Sequence, residues 1–168
     1  MRSHPEDQVA LRDVINENDE VIGQAEKEEI QHKKLICRVA FVIIVNSAQE
    51  LLLQQRSARK KAYPLYWSGA AAGHVHSGET YEQAAARELK EELGITAPLR
   101  YLGKHFSAED REMVASFLAF HDGPYNIERH EIEKIDFFTL ERLRQEMPGM
   151  KVTSFLERAL PLIDGKFG

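Results

Sequence analysis

The stretch that decides the fold is residues 73–95, which read GHVHSGETYEQAAARELKEELGI. Its first part is rich in glycine and polar residues, a composition that predicts a loop. Thr80 and Gln83 then have the spacing of a capping box, in which side chain and backbone satisfy each other at the start of a helix. Gly94 supplies a left-handed stop. These signals predict a helix over residues 81–93 that directly follows a glycine-rich loop.

Three carboxylates of this predicted helix share one stripe of its surface. At about 100° per residue, Glu91 and Glu92 lie to either side of Glu88. Carboxylates this close repel each other by on the order of 3 kcal/mol per pair at an effective dielectric constant of about 20, and a bound cation removes that cost. Because oxygen ligands select hard ions, the stripe favours Mg2+ or Mn2+ over zinc. The alternative is a solvated acidic face that binds nothing.

The residues around the stripe carry a more specific pattern. Five residues separate Gly73 from Glu79, and seven more separate Glu79 from the run RELKEELGI that begins at Arg87. This pattern resembles the Nudix box at every specified position. The resemblance implies a metal-dependent hydrolase that cleaves the diphosphate linkage of a nucleoside diphosphate derivative or a related diphosphate. It also implies a fold of the α/β class, an α/β/α sandwich around a mixed β-sheet.

The resemblance assigns roles to individual residues. Catalytic roles fall on four residues of the box, namely Glu79, Arg87, Glu88 and Glu91. Metal binding falls on the carbonyl of Gly73 and on three box acids, with one further acid as a candidate from a later loop: Glu88, Glu91, Glu92 and Glu131. Arg87 would orient a carboxylate by charge-assisted hydrogen bonds, and Glu79 would brace the loop against the helix. For Glu131, the alternative is an acidic side chain that only faces solvent.

Candidate substrate contacts lie outside the helix. Arg56 and Lys60 belong to a basic run that follows a predicted strand, and such side chains hold diphosphate oxygens. Their alternative is a solvated loop. Trp67 can stack on a base or pack on the sheet, and His74 matches a metal ligand of the isomerases introduced next. Cys37 is interpreted as a small packed apolar side chain.

A second resemblance concerns the branch of Nudix proteins that includes isopentenyl diphosphate isomerase. It rests on LLLQQR at residues 51–56, on Tyr66-Trp67, on Gly73-His74 and on an added N-terminal hairpin. The isomerases have a catalytic cysteine where this chain has Ala72 and a histidine where it has Arg38. The complete box therefore favours hydrolase chemistry on an isomerase-like architecture. A true isomerase and a non-catalytic nucleotide-binding module remain the alternatives.

The composition fits one domain over residues 1–168, with an N-terminal extension at residues 1–35. The chain has 168 residues, 43% of them hydrophobic, and a net charge of −5. This acidic balance argues against general nucleic-acid binding, so the expected partner is a small-molecule diphosphate. A single cysteine, a start without signal-peptide character and apolar runs too short for a bilayer predict a cytoplasmic location away from membranes. Apolar residues in the N-terminal hairpin raise the expectation of a homodimer.

Hydrophobic periodicity and turn residues predict the remaining elements. A hairpin is expected from residues 13–16 and 20–23, and a helix over residues 26–34. Strands are expected at residues 39–45, 51–55, 67–73, 99–106, 114–121 and 134–138, and closing helices at residues 140–147 and 153–163. On the box helix, an apolar row predicts packing against the sheet: Tyr81, Ala85, Leu89 and Leu93.

Overall fold

The computed structural model describes residues 10–166 of the chain. This part contains nine β-strands, four α-helices and one 3-10 turn at Met147–Gly149. The strands are β1 Arg12–Ile15, β2 Val21–Ala25, β3 Cys37–Val45, β4 Glu50–Arg56, β5 Trp67–Ser68, β6 Ala71–His74, β7 Arg100–Ser107, β8 Glu112–Phe120 and β9 Ile132–Thr139. The helices are α1 Lys27–Lys33, α2 Tyr81–Leu93, α3 Leu140–Glu146 and α4 Ser154–Ile163. The predicted elements are present in the predicted order, with shifts at their ends and with one predicted strand divided into β5 and β6.

The central sheet is mixed. Its hydrogen-bonded order is β5-β4-β3-β8-β7, with β6 also paired to β3 and β9 to β4. The β3–β8 pair is parallel, and the other pairs are antiparallel. All residues of β3 except Arg38 are buried, as expected for a central strand covered on both faces. The strand therefore forms the spine on which the other elements are placed.

Helices cover the sheet on both faces. On one face, the apolar row of α2 packs into a cluster with Val42 and Phe117 of the sheet. On the other face, α4 packs Leu156 and Ile163 against Phe41 and its neighbours. The predicted α/β/α sandwich is confirmed. Over residues 10–166, no helix is both long and apolar enough to span a bilayer.

The N-terminal hairpin is formed by β1 and β2 as predicted, and a network of polar side chains fixes its turn. The carboxylate of Asp19 accepts hydrogen bonds from Arg38 Nε at 2.7 Å, Lys104 Nζ at 2.7 Å and the Tyr81 hydroxyl at 2.9 Å. Tyr81 is the first residue of α2. The hairpin is thereby tied to the sheet and to the start of the box helix.

The prediction of a single strand over residues 67–73 is wrong, because the chain changes its hydrogen-bonded partner strand within this segment. β5 pairs with β4, whereas β6 pairs with β3. Between them, a Cβ at Gly69 would lie 2.5 Å from the Phe41 ring, so the backbone crosses the core where only glycine fits. The crossing brings Gly73 and His74 at the end of β6 beside α2 and β3.

Candidate functional site

A cavity of about 1060 Å3 opens beside the box helix. Its walls come from α1, β6, α2, the loop after β4, the turn before β8 and the loop before β9. Acidic side chains on the α2 wall lie in the same cavity as two basic side chains, Arg56 at the end of β4 and Lys60 on the loop after it. The volume suits a ligand of nucleotide size.

The box helix begins and ends where its sequence predicts. The Thr80 hydroxyl accepts from Gln83 N at 3.1 Å, and the Gln83 side-chain oxygen accepts from Thr80 N at 3.0 Å. Gly94 adopts the left-handed conformation with φ of 67°, and its N–H bonds the last turn. Because both ends are fixed by local hydrogen bonds, the acidic residues keep one rotational setting relative to the sheet.

Arg87 organises the acids of the site. Its guanidinium donates two hydrogen bonds of 2.9 Å to the Glu79 carboxylate and one of 2.9 Å to the carbonyl of His74. Its Nη1 donates to Glu88 Oε1 at 2.8 Å and to Glu91 Oε2 at 3.3 Å. Burial raises the pKa of Glu79, but the hydrogen bonds from Arg87 and from His76 N, together with the positive charge of Arg87, outweigh burial and the net shift is downward. The Arg87 guanidinium therefore joins the loop residue Glu79 to the carboxylates of Glu88 and Glu91 on the helix.

Glu92 extends the acidic group into the protein. Its side chain is buried and accepts hydrogen bonds from Ala72 N at 3.1 Å and from Gln54 Nε2 at 3.3 Å. Burial, and then the negative charge of Glu131, raise the pKa of Glu92 to about 7. A bound cation would therefore stabilise the ionised form of this carboxylate.

Gly73 makes room for a carboxylate. A Cβ at this position would lie 2.0 Å from Glu88 Oε1 and 2.1 Å from its Cδ. The Glu88 carboxylate is therefore packed directly on the Gly73 backbone, and its side chain is only 6% exposed. The glycine is required here by space, because any side chain would occupy the position of the acid.

Glu131 reaches the same group of acids from the loop before β9. Glu128 N donates to the Glu92 carbonyl at 2.8 Å, and Glu131 N donates to the Glu128 carbonyl at 3.1 Å. These bonds anchor the loop on the last turn of α2. The Glu131 carboxylate forms an ion pair with Lys60 and lines the cavity.

The two predicted basic contacts both line the cavity. Arg56 donates from Nε and Nη2 to the carbonyl of Ala62, at 3.1 and 2.9 Å. Burial lowers the pKa of Arg56, against the opposing pull of nearby carboxylates, of which Glu92 is the strongest. Lys60 faces the cavity from the same loop through its ion pair with Glu131.

Trp67 does not line the cavity. Its ring meets Phe138 edge-on with centroids 5.8 Å apart, and Lys134 Nζ lies 5.7 Å from its centroid. Both rings belong to the apolar cluster on the face of the sheet opposite α2. These contacts match packing, the alternative to base stacking, and give no support to Trp67 as a substrate contact.

A family model described as the NUDIX domain matches residues 36–155, most of the chain. The chain belongs to the Nudix family. An uncharacterised Nudix hydrolase of Pseudomonas aeruginosa is 40% identical over 135 residues, which span 79% of this chain and 80% of that protein. The crystal structure of DR0079 from Deinococcus radiodurans superposes with a TM-score of 0.79 at 26% identity, covering 90% of this chain and 97% of that one. The Nudix domain of Shewanella oneidensis NrtR, solved with ADP ribose, has a TM-score of 0.62 at 15% identity, covering 84% of this chain and 99% of that one.

Nudix hydrolases generally use divalent metals, and the residues of this Nudix site fit such a cation. Oxygen donors converge on the α2 wall of the cavity, and burial with the negative charge of Glu131 raises the pKa of Glu92, so a bound cation would stabilise its ionised form. Glu88 and Glu91 share one Arg87 nitrogen, so their oxygens point to the same place. An all-oxygen group of this kind suits a hard divalent ion.

Sequence reasoning missed a second group of side chains in the Nudix cavity. Ligand atoms of Cys37, His74 and Glu112 all lie within 4.8 Å of one another. His74 Nε2 is 3.3 Å from Glu112 Oε1. Cys37 is buried against Val14 and Ile30, as predicted for a packed thiol, but it also lines the cavity. The register of the strands brings these three residues together, and no local pattern in the sequence predicts that they are neighbours.

Proposed function

We propose that this Nudix hydrolase cleaves the diphosphate linkage of a nucleoside diphosphate derivative with the aid of Mg2+ or Mn2+. The observation that carries the proposal is the Arg87-centred group of Glu79, Glu88 and Glu91 in a cavity of nucleotide size. Three carboxylates held by one guanidinium inside a cavity are not expected on a helix face that is only solvated.

The carboxylates of Glu88, Glu91 and Glu92, with the carbonyl of Gly73, would hold the cation, and Glu131 would reach it from its loop. When bound, the cation neutralises diphosphate charge and favours ionisation of the attacking water. Arg87 keeps the carboxylates of Glu88 and Glu91 aimed together, and Glu79 holds Arg87 in place.

We assign the uptake of the proton from water to Glu91. Its side chain is 19% exposed, against 6% for Glu88, so it is the more accessible of the two acids that Arg87 contacts. A carboxylate in reach of both solvent and the reacting water can act as a general base. Arg87 donates to Glu91 at 3.3 Å and to Glu88 at 2.8 Å, so its hydrogen bond to Glu91 is the longer of the two.

The substrate's diphosphate would lie between the acidic wall and the basic loop after β4. Arg56 and Lys60 line the cavity there and can hold phosphate oxygens. ADP ribose, the ligand in the NrtR structure, is a nucleoside diphosphate derivative of the proposed class. It is therefore the first compound to test on this chain.

The test is a substrate screen with and without Mg2+ or Mn2+, with the phosphorylated products identified by phosphorus NMR. The compounds are ADP ribose, nucleotide sugars, dinucleotides, deoxynucleoside triphosphates and isoprenoid diphosphates. We expect cleavage at a diphosphate only with the cation, and a loss of turnover by orders of magnitude in Glu91→Gln and in Glu92→Gln. Glu82→Gln is the matched control, because Glu82 is exposed on the same helix. Unchanged turnover in both acid variants would refute the mechanism.

The isomerase-like branch stays a prediction from the sequence. At the position of the isomerase cysteine, Ala72 uses its backbone N–H to bond Glu92 and has no side-chain group that can donate a proton. This observation favours hydrolysis over double-bond migration. In the screen, conversion of an isoprenoid diphosphate to its isomer without release of phosphate would reverse that choice.

The homodimer also stays a prediction. In the hairpin, Val21 is 52% and Ile22 is 66% exposed, and both lie on β2. Burial of such side chains against a second copy would stabilise a dimer. A solution mass equal to that of the monomer at micromolar concentration would contradict it.

A further inference from the structure

Three adjacent strands place a thiol, an imidazole and a carboxylate side by side. Cys37 begins β3, and its register partner on β8 is Glu112. Two residues further along β3, Val39 is the partner of His74 on β6. Residues two apart on a strand point to the same face, so Cys37 and His74 approach each other from neighbouring strands. Their ligand atoms and that of Glu112 all lie within 4.8 Å of one another.

We propose that Cys37, His74 and Glu112 bind a divalent cation that accepts sulfur, Zn2+ foremost, at a site separate from the box acids. Sulfur, nitrogen and oxygen together are a donor set that suits Zn2+ and not Mg2+, which prefers oxygen alone. Three protein ligands leave one position of a tetrahedral Zn2+ open. All three residues line the cavity, so the open position is accessible to a ligand in it.

The surroundings make Cys37 a poor nucleophile while no cation is bound. Its side chain is buried, and burial, together with the charge of Glu112, raises the pKa of the thiol to about 12. A thiol of this kind is unreactive until a cation replaces its proton. Burial lowers the pKa of His74 against the opposing effect of Glu112, which favours the neutral imidazole that metals bind.

Two positively charged side chains lie near the site, so a divalent cation can bind there only if its ligands neutralise its charge. Arg12 and Lys27 are close enough to oppose a positive charge on His74. A thiolate and the Glu112 carboxylate together neutralise a divalent ion, so the bound site adds no net charge next to these two cations. Loss of either anionic ligand leaves an excess positive charge, and we expect the affinity to fall steeply.

The site is connected to the box by backbone. Gly73, which supports Glu88, and His74 are successive residues of β6. The carbonyl of His74 accepts a hydrogen bond from Arg87 Nη2 at 2.9 Å. The two sites therefore lie in the same cavity. An anionic group of a ligand bound at the box acids can occupy the open position of the second cation.

Cobalt absorption spectroscopy on the full chain tests the proposal. Cobalt(II) in place of Zn2+ gives a sulfur-to-metal charge-transfer band only when a thiolate is a ligand, and the sequence has one cysteine. We expect one equivalent of Co2+ to produce this band and Zn2+ to displace it. Glu112→Gln, an isosteric change, should weaken Co2+ binding by at least about tenfold. Glu91→Gln is the matched control, because it removes a box acid and should keep the band.

Cys37→Ser provides a second test, with circular dichroism to show that the variant is folded. Loss of the band and of one equivalent of zinc that survives dialysis, measured by plasma mass spectrometry, would support the site. Absence of the band in folded wild-type protein at excess Co2+ would overturn it, and so would full affinity in Glu112→Gln. Either negative result leaves magnesium-dependent hydrolysis at the box untouched, so the two proposals fail separately.

Discussion

Replacing Gly73 with alanine should disable the site without unfolding the protein. The new Cβ would lie 2.0 Å from Glu88 Oε1, whereas ordinary van der Waals contact begins at 3.4 Å. The Glu88 oxygen must therefore move by about 1.4 Å. That shift breaks the 2.8 Å hydrogen bond from Arg87 Nη1 to Glu88. It also moves the Glu88 carboxylate away from Glu91, which accepts from the same nitrogen.

The displacement sets the size of the effect. A misplacement of about 1 Å in a reacting group costs on the order of 100-fold in rate, so we expect kcat/KM to fall by about two orders of magnitude. Loss of the buried hydrogen bond costs about 1–3 kcal/mol in stability, which leaves a typical domain folded. The two effects are separable, because the first acts on turnover and the second on the unfolding midpoint.

The assay is steady-state hydrolysis of the best substrate at saturating Mg2+, with thermal unfolding measured on the same samples. Gly23→Ala is the matched control, because a Cβ at Gly23 meets nothing within 4 Å. It should leave both quantities near wild type. A Gly73→Ala enzyme with wild-type kcat/KM would refute the argument that Glu88 packs on this glycine in the working enzyme.

Three further outcomes follow from the geometry. Arg87→Lys should weaken Mn2+ binding by about 10- to 100-fold in a calorimetric titration, because one ammonium cannot bridge Glu79 and the helix acids. The metal-free protein should lose stability as pH rises through about 7, since folding raises the pKa of Glu92 from 4.5 to about 7 and the folded state holds the extra proton below that pH. The loss between pH 6 and pH 8, on the order of 1 kcal/mol in denaturant melts, should vanish in Glu92→Gln; equal pH dependence in that variant would contradict the assignment. Leu89→Ala should cost about 2–5 kcal/mol in urea unfolding while the folded protein keeps its Mn2+ affinity, because Leu89 is fully buried on the sheet side of α2.

Elements defined by local signals were predictable from the sequence. The bounds of α2 follow from Thr80, Gln83 and Gly94, whose hydrogen bonds are all made within the helix ends. The stripe of Glu88, Glu91 and Glu92 follows from helical geometry once those bounds are known. The sandwich was implied by the Nudix resemblance, and the apolar row of α2 predicted the side of that helix that packs on the sheet.

Features that depend on strand pairing were not predictable in this way. The sequence gives no sign that residues 67–73 change partner between β4 and β3, because the change depends on which strands lie beside this segment and the chain passes the Phe41 ring at Gly69. The face on which Trp67 lies depends on the same pairing. A shift of one residue in a strand moves every side chain to the other face.

The Cys37, His74 and Glu112 group shows the same limit at a site. The three residues are far apart in sequence and meet only because β6 and β8 flank β3 in a particular register. Composition and spacing describe neighbours along the chain, whereas a site built across strands is defined by tertiary structure. The residue type therefore predicted Cys37 as a packed side chain, but nothing along the chain predicted that His74 and Glu112 lie beside it.

The most direct test of the box acids as the cation site is a Mn2+ titration by electron paramagnetic resonance, with ADP ribose present and wild type compared with Glu91→Gln. We predict that the wild type binds Mn2+ and that the variant binds it at least about tenfold more weakly. Equal Mn2+ affinity in the two proteins would contradict the assignment of the α2 carboxylates as ligands.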